Sequence, residues 1–108
     1  MITLRNHVTL IGNMGMGAQI TKYDNGNKIA RFSLATDKNY KTREGKVEKS
    51  TEWHRLFAWG NMAQFIENYG QKGKQLAVHG RLVKRTYLNK EGEKRDITEI
   101  EVQHIIGL

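Results

Sequence analysis

The stretch Thr51-Glu52-Trp53-His54-Arg55-Leu56-Phe57-Ala58-Trp59-Gly60 decides how the rest of the chain is read. As a β-strand, its side chains alternate between two faces. Trp53, Arg55, Phe57 and Trp59 fall on one face, and Glu52, His54, Leu56 and Ala58 on the other. A buried strand face rarely carries an arginine at its centre, whereas flat rings interleaved with guanidinium groups suit a surface on which nucleobases stack. Taken alone, the stretch also fits an ordinary core strand rich in aromatics.

Downstream, Met62, Phe65, Ile66 and Tyr69 recur at i, i+3, i+4 and i+7, which predicts a short helix with one apolar, core-facing stripe. Asn61 is placed to cap it, and Gly70 to end it in the left-handed conformation. Lys74 to Leu88 reads as a long strand with Leu76, Val78, Gly80 and Leu82 on one face. Its other face carries His79, Arg81, Val83, Arg85 and Tyr87, a second interleaving of bases and rings. Asn89 to Glu93 is a hairpin loop and Asp96 to Ile106 the last strand.

Upstream, residues 4–11 read as an opening strand that ends at Gly12-Asn13. The glycines between Gly12 and Gly17 are spaced G-x-x-G-x-G with no Lys-Ser/Thr and no amphipathic helix behind them. A phosphate-cradling loop fails that context, and a turn or bulge is expected. Asp24-Asn25-Gly26-Asn27 signals a tight hairpin between strands at Gln19–Tyr23 and Lys28–Thr36. Residues 37–49 read as a polar loop carrying Lys38, Lys41, Arg43, Lys46 and Lys49, with a turn at Gly45. The succession of strands with one helix before the last two predicts an all-β, five-stranded OB barrel with the helix between strands 3 and 4.

The 108 residues make one domain, 1–108, with 18 Lys and Arg against 11 Asp and Glu, a net charge of +7. That excess favours an anionic partner. The absence of cysteine excludes disulfides and thiolate metal sites. No apolar run reaches the length of a membrane span, so no membrane contact and a soluble, cytoplasmic protein are expected. His7, His79 and His104 show no ligand spacing with His54, so neither a metal nor another cofactor is assigned. Asp24, Asp37, Asp96 and Glu99 fall on different turns and strands without a nucleophile–base pair, which argues for a binding protein and against an enzyme. Two strands with the same basic-aromatic pattern in a basic chain point to single-stranded nucleic acid, with Lys and Arg following the phosphates.

These residues resemble the bacterial single-stranded DNA-binding proteins of the SSB type along nearly the whole chain. The matching segments are Asn6-His7-Val8-Thr9-Leu10-Ile11-Gly12-Asn13, Phe32-Ser33-Leu34-Ala35-Thr36, Thr51-Glu52-Trp53-His54-Arg55, Lys72-Gly73 and Gly80-Arg81-Leu82. The resemblance implies an OB fold, usually a homotetramer, that wraps single-stranded DNA without sequence preference in replication, recombination and repair in the bacterial cytoplasm and nucleoid. It places base stacking at Trp53, Trp59 and Tyr87, with a fourth position at Tyr40. The expected DNA-binding set adds Phe57 and the cations Lys41, Arg43, Arg55, Lys72, Arg81 and Arg85. His54 is expected at a subunit contact, together with Asn6 and Val8 of the opening strand.

Met14-Gly15-Met16-Gly17-Ala18 departs from the Asp-Pro turn frequent in the family. The chain stops at Gly107-Leu108 without the family's acidic-tipped tail, so a short form is expected and tail-mediated partners lack support. Two other readings remain open: a primosome-type OB dimer that organises partner proteins, and an RNA-binding OB module, since stacking ignores the sugar.

Overall fold

The computed structural model describes residues 5–108. Their elements are β1 (Val8–Met14), β2 (Gln19–Lys22), β3 (Lys28–Lys41), β4 (Val47–Trp59), α1 (Asn61–Tyr69), β5 (Gln75–Leu88) and β6 (Lys94–Gly107). The strands lie in the order β1-β5-β6-β4-β3-β2, and two further pairs, Asn13 with Ala35 and Met14 with Leu34, join β1 to β3 and close the sheet. Both β1 and β2 run antiparallel to β3, at its Leu34–Ala35 and Lys28–Arg31 segments, so they are two halves of one strand interrupted at residues 15–18. Counted this way the barrel has five strands with α1 between the third and fourth, the OB architecture expected from the sequence.

Alternation builds the core. Ala30, Phe32 and Leu34 of β3, Leu56 and Ala58 of β4, Leu76 and Val78 of β5, and Ile100 and Val102 of β6 are buried together. The α1 stripe joins them: Ile66 and Ala63 are buried, with Met62, Phe65 and Tyr69 packed against the cluster. Closure depends on Gly12, where an added Cβ would stand 2.2 Å from the Ala35 carbonyl oxygen. Strand β1 therefore continues through Gly12 and Asn13, where the sequence reading ended it. The proposed start at residue 4 lies outside the described residues, and residues 5–7 precede the strand.

The helix ends differ from expectation. Gly60, at φ 62°, takes the cap position, and no side chain bonds there; Asn61 is the first helical residue. Gly70 has φ −80°, not a left-handed conformation. It is needed for space, because a Cβ there would meet the Ile66 carbonyl oxygen at 2.6 Å and Met14 Sδ at 2.8 Å.

The largest correction concerns residues 37–49, read as a loop. They extend β3 and β4 as a paired ribbon as far as Lys41 opposite Val47. Only residues 42–46 turn, with Gly45 at φ 82° and Thr42 N–H donating to the Lys46 carbonyl oxygen. Polar residues form a ladder here because they pair across it. Thr51 Oγ1 donates to Asp37 Oδ1 at 2.8 Å, and Lys49 Nζ lies 3.3 Å from Asp37 Oδ2. The β5–β6 ribbon repeats the device: Thr86 Oγ1 donates to Asp96 Oδ1 at 2.8 Å, and Lys84 Nζ lies 3.2 Å from Asp96 Oδ2. Each threonine hydroxyl, and then each lysine, holds its aspartate below the usual carboxylate range. The molecule thus carries two arms beyond its barrel and measures 57 Å along its longest axis.

Candidate nucleic-acid interface

Strand β4 has one core face and one exposed face. Leu56 and Ala58 turn into the core, whereas Trp53 is 61 % and Trp59 41 % exposed. Arg55 is exposed beside them, and no ion pair engages it among the described residues. Phe57 is half-buried, with the Arg31 guanidinium 5.5 Å from its ring centroid. Trp59 has Tyr23 as a neighbour, their ring centroids 6.0 Å apart. The six-membered ring of Trp53 lies against Gly15, where a Cβ would approach Trp53 Cζ3 to 2.8 Å. The Met14–Ala18 segment thus touches one tryptophan at a glycine where a Cβ would press on that ring and on Ser33 Oγ.

Beside this row a cleft is lined by Arg31 and Ser33 of β3, Arg55 of β4, Arg85 of β5, Ile97 and Glu99 of β6, and Met16 and Gln19 near the strand break. At its floor Glu99, whose side chain is 6 % exposed, accepts hydrogen bonds from two arginines. Arg31 Nη1 donates to Oε2 at 2.8 Å and Arg85 Nε donates to Oε1 at 2.9 Å. Glu99 is the buried member of this cluster, and its charge would be left unsolvated only if both half-exposed arginines were removed. Further along, Arg81 Nε donates to Glu101 Oε1 at 2.7 Å. Arg81 and Arg85, expected as phosphate ligands, are thus already ion-paired, while Arg55 is not. The sequence reading missed Arg31 and Glu99. Their signal was strand parity, since Arg31 stands opposite Phe57 across β3 and β4.

The remaining predicted residues are dispersed. Tyr87 is exposed on the β5–β6 arm, with the Arg85 guanidinium 5.9 Å from its ring centroid. Tyr40 lies on the β3–β4 arm opposite Glu48 and donates its hydroxyl to Glu48 Oε2 at 2.8 Å. Alternation puts it on the other side of that ribbon from Trp53. Lys41 ends β3 and Arg43 sits in the turn of the same arm. Lys72 lies after α1 in a second cleft, with Ala18, Ile20 and Glu67, that shares only Gly17 with the arginine cleft.

The three residues expected at a subunit contact have partners within the chain. His54 Nε2 is 2.9 Å from Thr36 Oγ1 on the core side of β4. The Asn6 side chain clips the backbone of Leu82, donating to its carbonyl oxygen at 3.0 Å and accepting from its N–H at 2.8 Å. Val8 pairs with Gly80 and packs on the core.

The other histidines gather in a row, His7 just before β1, His79 on β5 and His104 on β6. His79 Nε2 is 2.7 Å from His7 Nδ1, and His79 Nδ1 is 3.1 Å from His104 Nδ1. Burial, followed by repulsion from His7 and His104, holds the His79 pKa below its ordinary value. His7 Nε2 is turned away to Thr9 Oγ1 at 3.0 Å, and among the described residues no group of three His, Cys, Asp or Glu could hold a metal ion.

Residues 5–108 match the profile of the single-strand binding protein family. The chain belongs to this family. It is 38 % identical over 96 residues to single-stranded DNA-binding protein 1 of Chlorobaculum tepidum, covering 88 % of this chain and 59 % of that protein. It is 36 % identical over 102 residues to the single-stranded DNA-binding protein of Bacteroides thetaiotaomicron, covering 93 % and 63 %. The chain thus spans about three fifths of the length of these relatives. Among solved structures, the SSB of Plasmodium falciparum in complex with ssDNA superposes with a TM-score of 0.87 at 30 % identity, covering 100 % of this chain and 98 % of that one. A deletion mutant of the single-stranded DNA binding protein from Thermus aquaticus gives 0.80 at 26 % identity, covering 95 % and 50 %. No helix among the described residues is long and apolar enough to cross a membrane.

Proposed function

We propose that this chain binds single-stranded DNA without sequence preference and performs no chemistry on it, serving replication, recombination or repair in a bacterial cytoplasm. The carrying observation is the outer face of β4, where two exposed tryptophans flank an arginine that has no counter-ion among the described residues. Rings stack on any base, contributing about 1–3 kcal/mol each. Cations beside them take the phosphates, a contribution that weakens as salt rises. The relatives' names and the Plasmodium complex with ssDNA support this reading. Tyr87 and the arm cations Lys41 and Arg43 extend the track, and Tyr40 joins it where the first arm turns its other side to the strand.

Assembly into a homo-oligomer, with a tetramer expected, belongs to the same proposal. Strand β1 pairs with β5 from Val8 to Asn13, but with β3 only at Asn13 and Met14. Among the described residues no strand pairs with the second edge of Val8–Gly12, and unpaired edges favour the addition of another copy. The test is titration with poly-dT, followed by tryptophan fluorescence from 50 to 200 mM salt, beside a solution mass. Salt-sensitive quenching and a multimeric mass are expected. No quenching at low salt refutes binding, and a monomeric mass refutes assembly. Stronger binding to poly-rU than to poly-dT would move the reading to RNA.

A further inference from the structure

Three strands meet at one buried carboxylate. Glu99 of β6 holds Arg31 of β3 by Nη1 and Arg85 of β5 by Nε, one arginine on each oxygen. Each guanidinium spends only part of its fork of donors on Glu99, and the two side chains stay 39 % and 46 % exposed. Arg55 of β4 lines the same cleft. Charge counting treats Glu99 as a liability, since a carboxylate repels an incoming anion. Burial argues the opposite. A phosphate arriving from solvent cannot displace a carboxylate that would be left desolvated and unpaired. Glu99 therefore stays in place and fixes two flexible side chains before the ligand arrives. Arg31 is braced again by the Phe57 ring beneath it.

We propose that this cleft is a subsite for one phosphodiester group of the bound strand, gripped by Arg31, Arg55 and Arg85, with Glu99 as the positioning residue that orders two of the three. The inference rests on the ssDNA-binding reading above and adds a site to it. A fixed fork recognises phosphate with less ordering on binding than a mobile one. The subsite also sits beside Trp53, as a strand that stacks a base and passes on its phosphate requires; Trp53 and Arg55 line one continuous pocket with Ile97.

Glu99→Gln removes the charge and keeps the shape. Poly-dT titrations of parent and variant from 50 to 200 mM salt then oppose the two arguments. Positioning predicts binding weaker by about 5-fold or more at low salt, although the chain is one charge more positive. It also predicts a salt slope shallower by about 0.7, the value for one phosphate on a single strand. Adding Arg85→Ala to Glu99→Gln should weaken binding by less than about 2-fold further, because the residues act as a unit. Tighter binding with an equal or steeper slope overturns the proposal. If Glu99→Gln does not unfold cooperatively on heating, Arg31→Lys and Arg85→Lys decide the matter, since both keep every charge and lose the fork. Loss of about 3-fold or more in each supports the subsite, and binding equal to the parent overturns it. A parent that fails to bind poly-dT refutes the function itself, a result separable from either of these.

Discussion

Replacing Trp53 by alanine tests the stacking face most directly. The Cζ3–Cη2 side of its six-membered ring lies against Gly15, and 61 % of the residue is exposed to meet a base. Loss of one stacked base should cost about 1–3 kcal/mol, or roughly 5- to 160-fold in affinity. The fold should tolerate the change. With 61 % of the residue exposed, about two fifths of a side chain of roughly 250 Å² is covered. At about 25 cal/mol per Å² that covered area is worth at most about 2.5 kcal/mol, and extended-chain references overstate it. The expected folding cost is therefore about 1–2 kcal/mol, below the roughly 2–5 kcal/mol of truncating a fully buried leucine such as Leu76. Denaturant titration establishes that the variant is folded. Poly-dT titration, read from the remaining Trp59 signal, then gives the affinity. A folded Trp53→Ala protein that binds within about 2-fold of the parent refutes the assignment of this ring to stacking.

Arg55→Ala, which breaks no ion pair among the described residues, should flatten the log–log salt slope by about 0.7 with melting unchanged; an unaltered slope means Arg55 meets no phosphate. Gly12→Ala should destabilise the barrel by about 3 kcal/mol or more, since its Cβ would stand 2.2 Å from a backbone oxygen at the closing seam; a denaturation midpoint equal to the parent's would show that the seam gives way freely. The fold prefers neutral His79, whose pKa lies below the ordinary 6.5. The unfolded chain therefore binds protons that the folded one refuses, so stability is full above that value and falls as pH drops from it toward the lowered folded pKa. Denaturant midpoints at pH 7.5, 6.5 and 5.5 should decline, and His79→Gln should flatten the decline; equal slopes in both proteins refute it.

Where one periodicity governed a segment, the sequence was readable. The two-residue alternation of β4 separated Leu56 and Ala58 from Trp53 and Trp59, and the helical stripe of α1 faces the core as read. Residues 37–49 were misread because polarity was taken as a sign of loop. Their stability comes from cross-strand partners such as Asp37 and Thr51, a pairing visible only once the register is known. Gly70 was assigned to the wrong cause, since it is needed for space beside the Ile66 carbonyl oxygen and Met14 and not for a left-handed turn, and the Met14 contact has no local signature. Glu99 and Arg31 lie 68 residues apart, and only barrel closure brings them together. Arg81 and Arg85 were therefore read as phosphate ligands before the carboxylates that hold them, Glu101 and Glu99, came into view.

The two ribbons stapled by Asp37 and Asp96 have a consequence for motion. Strands β3 and β4 run without interruption from buried Leu34 and Leu56 to the turn at Gly45, and β5 and β6, past a register shift between His79 and Gly80, run paired to the turn at Gly92. Amides at the buried ends can exchange with solvent only through global opening, while those near the turns need only local fraying, since no apolar cluster covers them. Protection must therefore grade along each strand. A ligand lying along the arms could slow exchange at the tips without altering it in the barrel. Stiffness in this molecule is set by position along a strand, and each of the four long strands spans both regimes.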